Sequence, residues 1–281
     1  MHIFKEIAPL KACLKSMRSG LHSVGFVPTM GALHEGHLSL IRASRKDHPI
    51  TVCSIFVNPT QFGNAEDLAK YPRTLESDLR LLEESACNVV FCPETETMYG
   101  SDEALRISFP GLDDVLEGAQ RPGHFSGVAQ VVAKLFHIVQ PDEAYFGQKD
   151  YQQVMIISRL IRALNFDLKI TTLPIVREPD GLAMSSRNQR LSADNRKQAT
   201  VLYASLIDAR RELLAGGSWQ EIVEKTRARC HGQKVNLEYL AMADRKDFTL
   251  MDHLKDPRQT VILIAAQVGP VRLIDNLFLY P

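Results

Sequence analysis

Hydrophobic positions recur along the first 175 residues in two rhythms that take turns. Ile3, Ile7, Leu10, Leu14 and Met17 fall at helical spacing, so residues 3–19 are expected to form a helix ending at Gly20. A short apolar run follows at 23–27 and is broken by Pro28 and Gly31. Helical spacing then resumes with Leu38, Leu40 and Ile41 and runs to about Lys46. Residues 50–57 are β-branched and nearly continuous in apolar character, as a buried parallel strand requires. The polar stretch Asn58-Pro59-Thr60-Gln61-Phe62 comes next, at a strand's carboxyl end, where open α/β sheets bind ligands. Thr74 opens another helix, 88–92 reads as a third strand and 104–109 as a short extra one. Residues 118–127 read as loop and 128–139 as a buried helix; 143–146 are expected as strand, 151–164 as helix and 168–173 as strand. This alternation predicts an α/β fold with a Rossmann-like doubly wound parallel sheet.

Beyond Pro174 the rhythm changes. The polar, turn-rich stretch 177–188 leads to two expected helices, 193–215 and 218–231, split by Gly216-Gly217. Apolar or alternating segments follow at 236–241, 260–266 and 271–279. Helices followed by strands predict a smaller C-terminal α+β domain, with domains at 1–175 and 176–281.

Composition narrows the functional classes. Lysines plus arginines number 33 and aspartates plus glutamates 33, so no global field collects nucleic acid or an anionic membrane. No apolar run approaches the roughly 20 residues of a transmembrane helix, and the first residues lack a signal-peptide pattern. Five scattered cysteines without a Cys-x-x-Cys fit free thiols in a reducing compartment, so a cytoplasmic location is expected. Cys53 falls inside a buried strand pattern and reads as core rather than nucleophile.

The chemistry concentrates in turns. Met30-Gly31-Ala32-Leu33-His34-Glu35-Gly36-His37 follows the strand at 23–27 and opens a helix starting near His37. A helix N-terminus aims unpaired N–H groups and a positive dipole end at phosphate, and Gly31 and Gly36 allow close backbone approach. His-x-Gly-His in this place resembles the signature of the nucleotidyltransferase superfamily, which includes class I aminoacyl-tRNA synthetases. Zinc ligation is disfavoured, because the spacing is not His-Glu-x-x-His and no cysteine lies nearby. Gly147-Gln148-Lys149-Asp150 repeats the logic of strand, glycine, polar turn and helix, and adds an ammonium. Met184-Ser185-Ser186-Arg187 supplies two hydroxyls and a guanidinium. Taken singly, each of these groups is more often an ordinary surface residue.

Together, residues 26–41, 55–62, 71–73, 121–128, 141–153 and 177–188 closely resemble the pantothenate synthetase (pantoate–β-alanine ligase) family, in the same order. Gln130 and His137 depart from the pattern, where threonine and asparagine are expected. The resemblance implies condensation of pantoate with β-alanine, with ATP cleaved to AMP and pyrophosphate through a pantoyl adenylate. It implies an ATP site made by Met30 to His37, Gly147 to Asp150, Val176 and Met184 to Arg187, with His37 as the family's proton donor. His34, His37, Lys149 and Arg187 are the expected catalytic groups. Gln61 and Gln153 match the pantoate-binding glutamines, and Gln61 is also expected beside β-alanine. On this reading domain 1–175 binds nucleotide and pantoate, domain 176–281 acts as a lid, and the 58–75 loop closes over pantoate. Mg2+ is expected with ATP, its protein ligands unassigned, with Asp78 and Asp150 as candidates. A homodimer is also implied. Three rivals remain: an aminoacyl-tRNA synthetase, which the missing basic strip opposes, a related adenylyltransferase, and a non-enzymatic nucleotide sensor.

Overall fold

The computed structural model describes residues 1–20, 22–100 and 105–280. The chain divides into two compact units, one of residues 1–147 and 152–174, the other of residues 148–151 and 175–281.

The first unit is built on six parallel strands: β1 (His2–Phe4), β2 (Val24–Thr29), β3 (Ile50–Ile55), β4 (Val89–Phe91), β5 (Glu143–Gly147) and β6 (Lys169–Leu173). Their order is β1-β4-β3-β2-β5-β6, so the winding direction reverses between β2 and β5. In open α/β sheets the crevice at such a reversal, beyond the carboxyl ends of the strands, is where ligands bind. Met30 follows the end of β2, and Gly147 closes β5, so two of the turns singled out by sequence leave adjacent strands. Helices cover both faces. Leu40 and Ile41 of helix Glu35–Asp47 and Leu82 of helix Leu75–Glu84 pack with Val27, Cys53 and Val90 on one face. On the other face Phe26 meets Phe136 of helix His124–Val139 edge to face, 6.4 Å apart.

In this unit four expectations are corrected. The predicted 3–19 helix is strand β1, paired in parallel with β4, followed by helix Ile7–Met17. Three residues are too few to display alternation, and Pro9 is accommodated in the helix's first turn, where its missing N–H is not needed. Residues 105–109 of the expected strand are irregular, and Ala104 lies outside the described residues. The Ile107 amide donates to Ser126 Oγ and the Phe109 amide to Asp113 Oδ2, so these groups find side chains instead of a neighbouring strand. The predicted 118–127 loop holds a helical turn, Glu117–Gln120, and the next helix begins at His124 after Gly123 in the left-handed region. The 58–75 segment contains a 3-10 turn, Pro59–Gln61, and a short helix, Ala65–Ala69. Helix His124–Val139 also carries the two departures from the family pattern: Gln130 is buried, and His137 Nδ1 donates to Ala133 O.

Gly127 brings that helix against the Pro59–Gln61 turn. A Cβ there would sit 2.4 Å from the Thr60 carbonyl oxygen. Gly127→Ala is therefore expected to destabilise by about 1–3 kcal/mol and to displace Gln61. Denaturant unfolding checks the first effect, and an unchanged midpoint would show that the turn yields freely.

In the second unit helices Val201–Leu214 and Trp219–Gly232 pack on an antiparallel sheet of β7 (Asn236–Asp244), β8 (Leu250–Met251), β9 (Thr260–Val268) and β10 (Val271–Phe278). The order is β10-β9-β7-β8, with β9 buried nearly throughout. The long helix expected at 193–215 is broken at Thr200, whose hydroxyl donates to Lys197 O. The architecture is thus α/β with a smaller α+β part.

Candidate active site

The turn after β2 is shaped by a buried carboxylate. Gly31 and Ala32 both take positive φ, 81° and 50°. This turns the Ala32 and Leu33 amides onto Asp78, whose Oδ2 and Oδ1 accept them at 2.9 and 2.8 Å. Asp78 is 1% exposed and also accepts from the Thr74 hydroxyl. Gly31 is needed here: its φ is left-handed, and a Cβ would lie 3.1 Å from Asp78 Oδ2 and from Ile55.

The helix that follows starts at Glu35, two residues before the sequence pattern suggests, with His34 as its N-cap. His34 Nδ1 accepts from the Gly36 amide at 3.1 Å, and His37 Nδ1 accepts from the His34 amide at 3.3 Å. The two rings lie 4.1 Å apart. Backbone amides expected to face a phosphate are thus capped by imidazole. Because each Nδ1 accepts, the hydrogen of each neutral ring sits on Nε2, giving two neighbouring donors at a helix N-terminus. Glu35 pairs instead with Arg42 on the same helix.

Gln61 is buried and held through Asn58. Asn58 Nδ2 donates to Gln61 Oε1 and to Gly127 O, both at 3.2 Å, while Asn58 Oδ1 accepts from Tyr99 OH at 2.7 Å. His124 Nδ1 donates to the Gln61 carbonyl at 2.8 Å. With its oxygen engaged, the Gln61 amide presents its donors, and Nε2 lies 3.1 Å from Met30 Sδ. The structure thus brings Met30 and Gln61 together. Gln153 is half-buried on helix Tyr151–Ala163. Its neighbour Gln152 is buried, accepting from the Glu117 amide and donating to Leu112 and Val115 carbonyls.

In the second unit, the Gln148–Asp150 turn is anchored by Asn276 of β10, and Lys149 Nζ lies 3.9 Å from Asp150 Oδ1. Val176 and Met184 face each other across a tight hairpin, the Met184 amide donating to Val176 O at 3.0 Å. Its Arg177 forms a two-pronged pair with buried Asp275, at 2.6 and 3.0 Å, and stacks 3.8 Å from the Tyr203 ring. Ser185 Oγ accepts from the Arg187 amide and caps the 3-10 turn Ser186–Arg190, which carries the buried Ser186 and Arg187.

Of the clamps, Asn58 lies inside the polar 58–62 stretch that the sequence marks and Asp78 is a candidate cation ligand by sequence, whereas Asn276 and Asp275 carry no motif signal. Both oxygens of Asp78 accept backbone amides, which occupies the carboxylate that the sequence offers as a magnesium ligand. Among the described residues no group of three His, Cys, Asp or Glu side chains is placed to hold a metal. The described residues therefore do not by themselves build a cation cage. Burial pushes the Cys53 thiol well up and the Cys87 thiol up to about 11, so neither is a ready nucleophile. Among the described residues no helix is long and apolar enough to cross a membrane.

Residues 2–278 match the family described as Pantoate-beta-alanine ligase. The chain is 48% identical over 277 residues to the pantothenate synthetase of Acidobacterium capsulatum, covering 95% of this chain and 89% of that one. It is 45% identical to that of Bacteroides thetaiotaomicron, covering 99% and 98%. The crystal structure of pantothenate synthetase from Thermus thermophilus superposes with a TM-score of 0.93 at 43% identity over the full length of both chains. That of the pantoate-beta-alanine ligase from Francisella tularensis, complexed with beta-gamma ATP and beta-alanine, superposes at 0.84 and 35% identity, covering 99% and 98%. The chain belongs to the pantoate–β-alanine ligase family.

Proposed function

We propose that residues of both units serve one reaction, in which pantoate is activated by ATP as its adenylate and β-alanine then takes the acyl group. ATP-dependent formation of this amide bond is the activity of the family. The reading is supported above all by the capping box at His34 and His37, in which each Nδ1 accepts a backbone amide, leaving Nε2 of each ring to carry the hydrogen at a helix N-terminus.

In the first step the ionised pantoate carboxylate attacks the α-phosphorus and pyrophosphate leaves with the P–O bonding pair. The carboxylate needs no general base at neutral pH. What must be supplied is alignment and relief of charge growing on phosphate oxygens. His34 and His37 donate to those oxygens, while Lys149, Arg187 and the Ser185 and Ser186 hydroxyls offset the remaining charge. Gln61, its oxygen held by Asn58, offers amide N–H to pantoate, and Gln153 adds a second amide. Neutral amides orient the carboxylate without the strong pairing that would blunt it as a nucleophile. In the second step the neutral amine of β-alanine attacks the acyl carbon, AMP leaves with the C–O bonding pair, and the nitrogen's surplus proton passes to the departing phosphate. Mg2+ would accompany the nucleotide's phosphates and offset their charge. The first unit serves pantoate and nucleotide, and the second contributes phosphate-directed charge. A homodimer in the cytoplasm completes the proposal, and sedimentation as a monomer would remove the dimer.

Isotope exchange between pyrophosphate and ATP tests the reaction. Exchange is expected only with pantoate, and AMP release only when β-alanine is also present. Exchange without pantoate, or none with it, would overturn the proposal. Gln61→Ala is expected to raise the pantoate KM about tenfold or more with little change in that for ATP. An unchanged pantoate response would take Gln61 out of the site.

A further inference from the structure

The Gln148–Asp150 turn carries the lysine on which the proposed chemistry depends, yet its shape is imposed from elsewhere in the sequence. The Asn276 side chain uses its whole donor capacity on this turn, Nδ2 donating to the Gln148 and Lys149 carbonyls, both at 2.9 Å. Its Oδ1 accepts from Gln148 Nε2 at 3.0 Å. Asn276 is itself only 1% exposed, and its backbone amide donates to Asp275 Oδ1 at 2.7 Å. Asp275 is fixed by Arg177, whose guanidinium also donates to the Asn276 and Gly181 carbonyls.

We infer that Asn276 is a positioning residue for Lys149: its amide fixes the backbone of the lysine's turn and so directs the ammonium at the nucleotide's phosphates. Two carbonyls drawn onto one amide nitrogen leave the Lys149 backbone a single arrangement. A lysine side chain has several rotatable bonds, so a fixed root decides how often its charge occupies the right place. Asp275 and Arg177 keep the amide itself from turning.

This inference rests on the reading of Lys149 as a phosphate-directed cation, and a double-mutant cycle separates the two. Pantoate-dependent exchange is measured for the unaltered chain, Asn276→Ala, Lys149→Ala and the double variant. Asn276→Ala is expected to slow exchange about tenfold or more when Lys149 is present and less than about twofold when it is absent. It is expected to leave the pantoate KM unchanged. Asn276→Asp keeps the shape and turns an oxygen toward the two carbonyls; it is expected to give the same pattern, and decides the matter if the alanine variant does not fold. Equal losses with and without Lys149 would make Asn276 a general structural residue and overturn the inference alone. Full exchange in Lys149→Ala would overturn the reading of the lysine, and this inference with it.

Discussion

Replacing His37 with alanine is expected to slow pantoate-dependent exchange by about 100-fold or more, the loss typical of removing a donor aimed at charge developing in the transition state. The same variant removes the ring that caps the His34 amide. An N-terminal cap contributes about 0.5–2 kcal/mol, so a modest drop in stability accompanies the loss of activity. The two effects are separable. His37→Gln places at the third helical position a side chain that caps the same amide well, and is expected to restore the melting temperature. It is not expected to restore exchange, because the imidazole Nε2–H beside His34 is gone. Thermal unfolding and exchange measured on both variants decide this, and exchange within a few-fold of the unaltered rate in His37→Ala would remove the ring from the mechanism.

The largest effect on stability is expected from Arg177→Ala. It leaves the buried Asp275 carboxylate without its two-pronged partner, and stranding one member of a buried pair costs about 3–5 kcal/mol. Burial pushes the Asp275 carboxyl up from its ordinary value, and in the intact chain the Arg177 guanidinium opposes that push. Without the guanidinium the folded chain favours the protonated carboxyl. A carboxyl raised in the folded state gives stability that is present at low pH and lost as pH rises. The gap between the variant and the intact chain is therefore expected to be widest near neutral pH and to narrow as pH falls toward the ordinary aspartate range. Denaturant titration across that range checks both size and sign. A loss below about 1 kcal/mol at neutral pH would mean that water reaches Asp275. Replacing both partners with apolar residues of similar volume is expected to recover most of the loss.

The parts of the molecule legible in the sequence are those whose signal is local. The parallel strands appear as apolar runs such as 50–57, the turns proposed to face phosphate follow such runs with glycine, and the second unit announces itself by helices followed by strands. The parts that were not legible depend on distant partners. β1 exists because β4 offers it an edge, and its residues fit helical spacing equally well. Residues 105–109 have the composition of a strand but pair with no strand among the described residues, and the Ile107 and Phe109 amides go to side chains. The start of helix His124–Val139 turns on the positive φ of Gly123. Within the site, the histidines and Gln61 are recognisable because their motifs are short. What orients them is not: Asp78 reaches the 31–33 turn across 46 residues, and Asn276 reaches Gln148 across 128. A single aspartate or asparagine in a strand or at a helix start has no periodicity that could betray such a task.

That last separation has a consequence for biosynthesis. During translation the Gln148–Asp150 turn leaves the ribosome long before the strand that braces it, and a nascent chain stopped short of residue 271 lacks Asn276, Asp275 and all of β10. Such a polypeptide contains every residue of the histidine turn and its Asp78 clamp, yet lacks the side chain that braces the lysine's turn. On the proposed role of Lys149, the braced form of its turn is reached only when synthesis delivers β10.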